Sequence, residues 1–553
     1  MLACDNDAPD STGENNYEEE MLSDADEHAP PGYYDSLGKA PDPEPPADEH
    51  YRPLYHFTPP SAWMNDPNGL LYHEGEYHLF YQHYPDSNVW GPMHWGHAVS
   101  TDLMNWEHLP IALEPYGDPS QWIYSGSAVV DKNNTSGFGT KDNPPLVAIF
   151  TLHEEVERKT TRTDFESQGI AYSLDRGRSW TRYEGNPVLP NPGDAKDFRD
   201  PKVFWDKKSD GWVMVLAAKD HVEFHGSKDL KSWTKLSEWG KNAPQHYGVW
   251  ECPELIPMTV EETGEEGYVL LISINRGSAN GGSGTFYHTG SWDGKEFTPT
   301  REAANSPADS VKWLDYGRDN YAGVTFSNVP EGRTVLLGWM SNWLYAQQVP
   351  TYTWRSAMTL PRRLTLHDTD FGRRLRQQPV RETTELRQTT RNLEVTRFEE
   401  GVTTFDLSQL PNPGVFELDL EIEMFSASEE IYFDLSNDNG DEFYRFGYTR
   451  RAGAGYEFFA DRRSSGLTKF NEHFAPERLI KASQWSNEQR IRFHAFFDRT
   501  SAEVFFHEGD PVITNLFFPT APYTKLTVSV AGGRSSADGT TGFDVTKAML
   551  YGY

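Results

Sequence analysis

From Phe416 to Met424 the chain alternates without a break, setting Phe416, Leu418, Leu420, Ile422 and Met424 against Glu417, Asp419, Glu421 and Glu423. A period of two predicts a strand with one buried face and one wet face. The same alternation runs through Ile491, Phe493, Ala495 and Phe497 and again through Ala502, Val504 and Phe506, on either side of a turn predicted at Asp498 to Ser501. Many such strands with no helices between them predict a β-sandwich over the C-terminal part of the chain. Further forward, Leu146 to Leu152 and Trp212 to Ala217 also have the character of strands. Helical periodicity is almost missing. A short helix or connector is expected only in the Arg- and Gln-rich stretch Leu364 to Arg387.

A second pattern is repeated. Ser100-Thr101-Asp102-Leu103-Met104-Asn105-Trp106 and Ser227-Lys228-Asp229-Leu230-Lys231-Ser232-Trp233 share the form SxDLxxW, and Ser173, Asp175, Gly177 and Trp180 give the looser SxDxGxxW. Gly290-Ser291-Trp292-Asp293-Gly294, ending in Phe297, is a fourth echo, so the motif recurs every 54 to 73 residues. In each, the Asp or Ser caps a hairpin turn and the aromatic ring packs back onto the following strand. Such turns at this spacing predict sheets arranged as propeller blades. The expected fold is therefore all-β. A tail at 1–50 precedes a propeller at 51–365, a linker at 366–388 and a sandwich at 389–553.

Charge refines this picture at one end. The net charge is -33, but residues 1–50 carry 15 Asp or Glu against one Lys. That tail cannot bury enough apolar surface to fold and reads as a disordered spacer. The rest is only moderately acidic, which argues against nucleic acid or an anionic membrane as partner. Aromatics make up 14% of the chain, with 17 Trp, a content that suits both β cores and stacking on sugar rings. The two cysteines, Cys4 and Cys252, lie in unrelated frames and are not expected to pair. No stretch is long enough for a membrane-spanning helix, and the first residues lack the apolar run of a secretory signal. Leu2-Ala3-Cys4 followed by a polar spacer is like the processed junction of a bacterial lipoprotein, which would place the protein outside the cell or on its surface. The alternative is a chance cysteine, and an acyl group found on Cys4 decides between them.

The candidate chemistry lies in three framed acids. Asp66 sits in Trp63-Met64-Asn65-Asp66-Pro67-Asn68-Gly69, where Pro67 stiffens the backbone and Asn68-Gly69 turns it. Taken alone, those four letters from Asp66 are a good β-turn. Asp200, beside Arg199 and before Pro201, and Glu251, between Trp250 and Cys252-Pro253, repeat the design. Carboxyl pairs cleave glycosidic bonds, one protonating the leaving oxygen while the other attacks or stabilises the sugar cation. Aromatic walls suit sugar faces and raise the pKa of an acid they desolvate.

WMNDPNG, Phe80 to Gln82, WGPMHWGHAVS from Trp90, YSGSAVVD from Tyr124, FRDPKVFW and WECPEL resemble, in order and character, glycoside hydrolase family 32, the family of invertases, inulinases and levanases. The similarity continues through LDYGRDNYA, GWMSNW and WRSAMTLPR and covers roughly residues 52 to 553. The resemblance implies a five-bladed propeller carrying the active site, then a C-terminal sandwich. It implies a retaining β-fructosidase in which Asp66 attacks, Glu251 donates and later recovers a proton, and Asp200, kept ionised and aligned by Arg199, binds fructosyl hydroxyls. Asn65, Gln82, Trp90 and Ser125 correspond to positions that enclose the terminal fructose, with Tyr124 where the family more often has Phe. Trp339 is a further candidate wall, although for Trp90 and Trp339 taken alone core packing is the better reading. His94 and His97 have metal-like spacing without a further ligand set and read as structural; no metal or cofactor is expected. The expected substrates are fructan, inulin or levan, and sucrose, released as terminal fructose. Endo-cleavage, fructosyl transfer and a non-catalytic sugar-binding propeller are the alternatives.

Overall fold

The computed structural model describes residues 49–117, 120–156, 161–243, 248–300, 311–424, 430–451, 455–477, 479–483, 490–531 and 542–553. The acidic tail before residue 49, with Cys4, lies outside them. Among the described residues there is no α-helix; the stretch expected to hold one contains a single 3-10 turn, Arg381–Leu386.

Five antiparallel sheets fill the first part of the described chain, each built on four strands in chain order. Sheet I starts with Ala62–His73, sheet II with Gln121–Val130, sheet III with Phe198–Asp206, sheet IV with Trp250–Thr259 and sheet V with Tyr321–Thr325. These five first strands touch one another in a closed ring. They are the innermost strands, and their burial follows: Ala62 to Tyr72 is enclosed on both faces almost throughout, whereas the outermost strands of sheets I and III, Glu107–Leu113 and Thr234–Trp239, are largely wet. Trp354–Arg355 lies parallel to the inner strand of sheet I and Ala357–Met358 pairs with sheet V, so one segment staples the ends of the ring together.

The repeated turns join the third and fourth strands of sheets I to IV. In sheet I, Asp102 Oδ1 accepts the backbone N–H groups of Met104 (2.9 Å) and Asn105 (2.7 Å), and the Trp106 indole donates back to the Leu103 carbonyl (3.0 Å). Asp229 and Trp233 do the same in sheet III, and Asp175 and Trp180 in sheet II. Leu103 and Leu230 take positive φ, 67° and 61°, to let these loops close. Asp293 caps Lys295 and Glu296 in sheet IV.

Two expectations need correction. Leu364 to Arg387 is not mainly a connector: Arg362–Thr369 and Gly372–Pro379 form the outer hairpin of sheet V, so a boundary at 365 cuts through a blade. The strand pattern is hidden because Arg362, Arg374 and Gln377 are buried there as polar residues. In the sandwich, Phe416, Leu418, Leu420 and Ile422 are buried as expected, beside Phe493 in their own sheet and in one core with Phe433 and Phe446 of the other sheet. Their partner face is not wet at its near end, however. Glu417 is fully enclosed by Arg387, His494 and Tyr553, and Ser501–Phe506 is buried on both sides, because this face packs on the propeller.

Candidate active site

All five inner strands break register at the same level. The slips fall between Met64 and Pro67, Ile123 and Gly126, Val215 and Ala217 (opposite Lys202 and Arg199), Glu251 and Glu254, and Tyr321 and Val324. In three strands a proline stands at the slip, Pro67, Pro201 or Pro253, and removes a ladder N–H. At Gly126 a β-carbon would lie 2.1 Å from the Ile149 carbonyl, so only glycine fits. A bulge re-aims side chains. Here the bulges turn Asp66, Ser125, Asp200, Glu251 and Tyr321 toward one place at the starts of the strands. Asp200 and Cys252 adopt positive φ, 63° and 45°, strain that the surrounding ring imposes.

Two of the acids flank one sulfur. Cys252 Sγ is 3.7 Å from both Asp66 Oδ2 and Asp200 Oδ2, and its backbone N–H donates to Asp200 Oδ2 at 2.9 Å. Ser125 donates to Asp66 Oδ2 at 2.6 Å, while Asp66 Oδ1 is buried and has no hydrogen-bond partner among the described residues. Arg199 donates to Asp197 (2.6 Å) and Glu166 (3.3 Å) with one nitrogen and to Glu251 Oε1 (3.1 Å) with the other. Tyr321 closes the set by donating to Glu251 Oε2.

The expected binding residues lie in sheets I and II, with Trp339 in sheet V. Asn65 takes the indole N–H of Trp63 at 2.8 Å, which orients its amide; Gln82 donates to Asn68 (2.8 Å) and to the Ile123 carbonyl (3.0 Å). Trp90 and Tyr124 are partly exposed at the rim. Trp339 is fully enclosed, edge-on to Trp63 at 6.0 Å and tilted against Trp343 at 4.9 Å.

The comparisons with known proteins agree with this geometry. Residues 56–379 match the model described as glycosyl hydrolases family 32 N-terminal domain, and residues 382–547 match that family's C-terminal model. The chain belongs to glycosyl hydrolase family 32. It is 44% identical to a levanase of Bacillus subtilis over 492 residues, 88% of this chain and 69% of the relative. A crystal structure of exo-inulinase from Aspergillus awamori superposes with a TM-score of 0.80 at 36% identity, covering 91% of this chain and 98% of the other. A β-fructofuranosidase from Schwanniomyces occidentalis gives 0.77 at 28%, covering 91% and 97%. The all-β propeller-plus-sandwich architecture and the glycoside hydrolase class are therefore established.

Electrostatics in this family-32 site depart from expectation in one respect. Arg199 does not bind Asp200; its fork is taken by Asp197, Glu166 and Glu251. Burial lifts all three acids above the usual carboxylate range. Asp200 rises to about 8: burial leads, Arg199 opposes it, and Glu251 and Asp66 add to it. Glu251 is lifted by burial and by Asp66 against the pull of Arg199 and Tyr321. Asp66 is lifted by burial against Ser125 and Asn65. A proton is thus retained within the cluster at neutral pH and belongs to the group of coupled acids. Burial and the neighbouring acids push the Cys252 thiol well up, so it remains S–H.

Three contributors escape sequence reading: Tyr321 on Glu251, Cys252 between the aspartates, and Glu166 on Arg199. Tyr321 and Cys252 lie inside recognised motifs, LDYGRDNYA and WECPEL, but nothing local marks their partners. His97, expected to be structural, meets His78 at 3.1 Å, whereas His94 bonds the Pro92 carbonyl. His221, Glu223 and Glu238 bring ligand atoms within 4.8 Å of one another, but Lys235 bridges both glutamates at 2.6 and 2.7 Å.

Proposed function

We propose that this protein is a retaining, exo-acting β-fructosidase that hydrolyses terminal β-fructofuranosyl units from fructans and sucrose. The observation that carries the reading is a cluster of three acids, Asp66 and Asp200 buried and Glu251 partly so, turned inward by aligned bulges in a family-32 frame, with one carboxylate oxygen unpartnered. The levanase, exo-inulinase and β-fructofuranosidase relatives support the substrate class.

Asp66 is the nucleophile. Its free Oδ1 attacks the anomeric carbon while Ser125 holds Oδ2, and the glycosidic carbon–oxygen bond breaks as Glu251 passes its proton to the leaving oxygen. Water then enters, Glu251 takes its proton, and the resulting hydroxide equivalent displaces Asp66 from the fructosyl carbon. Asp200 accepts hydrogen bonds from fructosyl hydroxyls, and the proton that the crowded acids retain is the one Glu251 delivers. Asn65, Gln82, Trp90, Tyr124 and Ser125 enclose the sugar, and Trp339 backs the wall.

The catalytic domain in this reading runs to Pro379, followed by a short connection and the sandwich. Among the described residues no helix is long and apolar enough to cross a membrane, and relatives described as extracellular support secretion, with a lipid anchor at Cys4 as one route to the cell surface. Product analysis on sucrose, inulin and levan tests the reading. Free fructose as the only early fructan product is expected; a ladder of oligosaccharides would replace it with endo-cleavage.

A further inference from the structure

We propose that Trp122 and His153 form the shelf that seats the leaving side of the substrate, a subsite for fructosyl units beyond the scissile bond. This rests on the β-fructosidase reading and deepens it. Trp122, His153 and Glu166 are direct cross-strand neighbours on three strands of sheet II, at the mouth end of the ring. The bulge between Ile123 and Gly126 tips Tyr124 onto His153, with ring centroids 4.1 Å apart and planes within 12°. Trp122 lies 5.8 Å from His153, 6.4 Å from Tyr124 and 5.3 Å from Trp90. The four rings make one continuous patch, and all four are partly exposed, unlike Trp63 and Trp339, which are wholly enclosed. Core packing alone would have covered them.

The patch also has a direction. Tyr124 precedes Ser125, the residue that holds Asp66, so the shelf begins beside the nucleophile. His153 Nδ1 meets Glu166 Oε1 at 3.1 Å, Glu166 meets Arg199 at 3.3 Å, and Arg199 meets Glu251 at 3.1 Å. The shelf is thereby tied to the acid that faces the leaving oxygen, which places it on the leaving-group side. Sugar rings stack their C–H faces on such aromatics while their hydroxyls stay wet.

The test compares Trp122→Ala and His153→Gln with the wild-type enzyme on β-fructofuranosyl fluoride, sucrose, and inulin-type tri- and pentasaccharides. The fluoride has no sugar to seat on the leaving side. Trp122→Ala is expected to lower kcat/KM on the oligosaccharides about tenfold, chiefly through KM, with a much smaller loss on the fluoride. His153→Gln keeps a donor for Glu166 but removes the ring, and should show the same dependence on chain length. Undiminished kcat/KM on the oligosaccharides, or an equal loss on every substrate including the fluoride, would overturn the shelf. A wild-type protein inert toward both the fluoride and sucrose would overturn the fructosidase reading beneath it, so the two failures are separable.

Discussion

Two regions of this molecule bury charge, and they do so in opposite ways. Where the sandwich meets the propeller, Arg362 donates to Glu503 (2.6 Å), Thr514 (2.7 Å), Asp315 (2.9 Å) and Gln377 (3.0 Å), while both ring nitrogens of His56 are held, by Asp498 (2.8 Å) and Glu503 (2.9 Å). Asp498 takes four backbone N–H groups as well, those of Leu54, Tyr55, His56 and Arg499. Every charge there has an opposite neighbour, and the pKa of Asp498 and that of Glu503 are lowered despite burial, by His56 at the first and by Arg362 at the second. At the active centre Glu251 shares one arginine with Asp197 and Glu166, Asp66 and Asp200 are not bonded to it, Asp66 Oδ1 is unpartnered, and all three acids are raised. Burial alone therefore does not mark function. Surplus like charge and an unfilled hydrogen-bonding position, aimed at the place where substrate sits, mark it.

If that contrast holds, the two regions should fail differently when changed. Asp66→Asn and Glu251→Gln should each lower turnover by about three orders of magnitude or more, with the thermal midpoint unchanged or raised, since each removes a charge from a crowded site. Kinetics beside calorimetry checks this; near-normal activity in either variant would break the active-site half. Arg362→Met should do the reverse, costing about 3 to 5 kcal/mol of stability by stranding Glu503 and Asp315, with kcat/KM on the surviving folded protein little changed. Denaturant unfolding measures it.

The interface also sets a pH window. His56 is raised from 6.5 to about 9, because Asp498 and Glu503 outweigh its burial. A raised histidine contributes stability that is complete below pH 6.5 and lost as pH climbs through 9, on the order of 3 kcal/mol. Thermal midpoints should fall across that window, and His56→Gln should flatten the fall while lowering the plateau. The smallest effect expected is at the site. The Tyr321 hydroxyl favours the charged form of Glu251, so Tyr321→Phe should raise the pKa of that acid and move the alkaline limb of the kcat/KM profile up by about one unit. A downward shift would contradict the proton assignment.

The parts of the fold and site that are legible in the sequence are those encoded locally. The SxDLxxW turns are closed by contacts two or three residues apart, so their side chains and their spacing disclose the sheets. The three acids carry their own proline and aromatic frames, and these mark the positions where the strands bulge. The pairing expected of Arg199 fails because its guanidinium reaches Glu251, 52 positions away, past its neighbour Asp200. Tyr321 meets Glu251 across 70 positions with no local sign of it. The last hairpin of the propeller is hidden by buried Arg362, Arg374 and Gln377, whose enclosure depends on the sandwich arriving from far along the chain.

The central claim is that Asp66 bonds to the fructosyl carbon while Glu251 only moves protons. A Glu251→Ala variant given β-fructofuranosyl fluoride tests it, because fluoride leaves without an acid while hydrolysis of the intermediate still needs the missing base. A fructosyl adduct should accumulate, and mass spectrometry of the digested protein should find it on the peptide carrying Asp66. An adduct on the peptide carrying Asp200, or turnover of the fluoride with inverted product and no adduct, would contradict it.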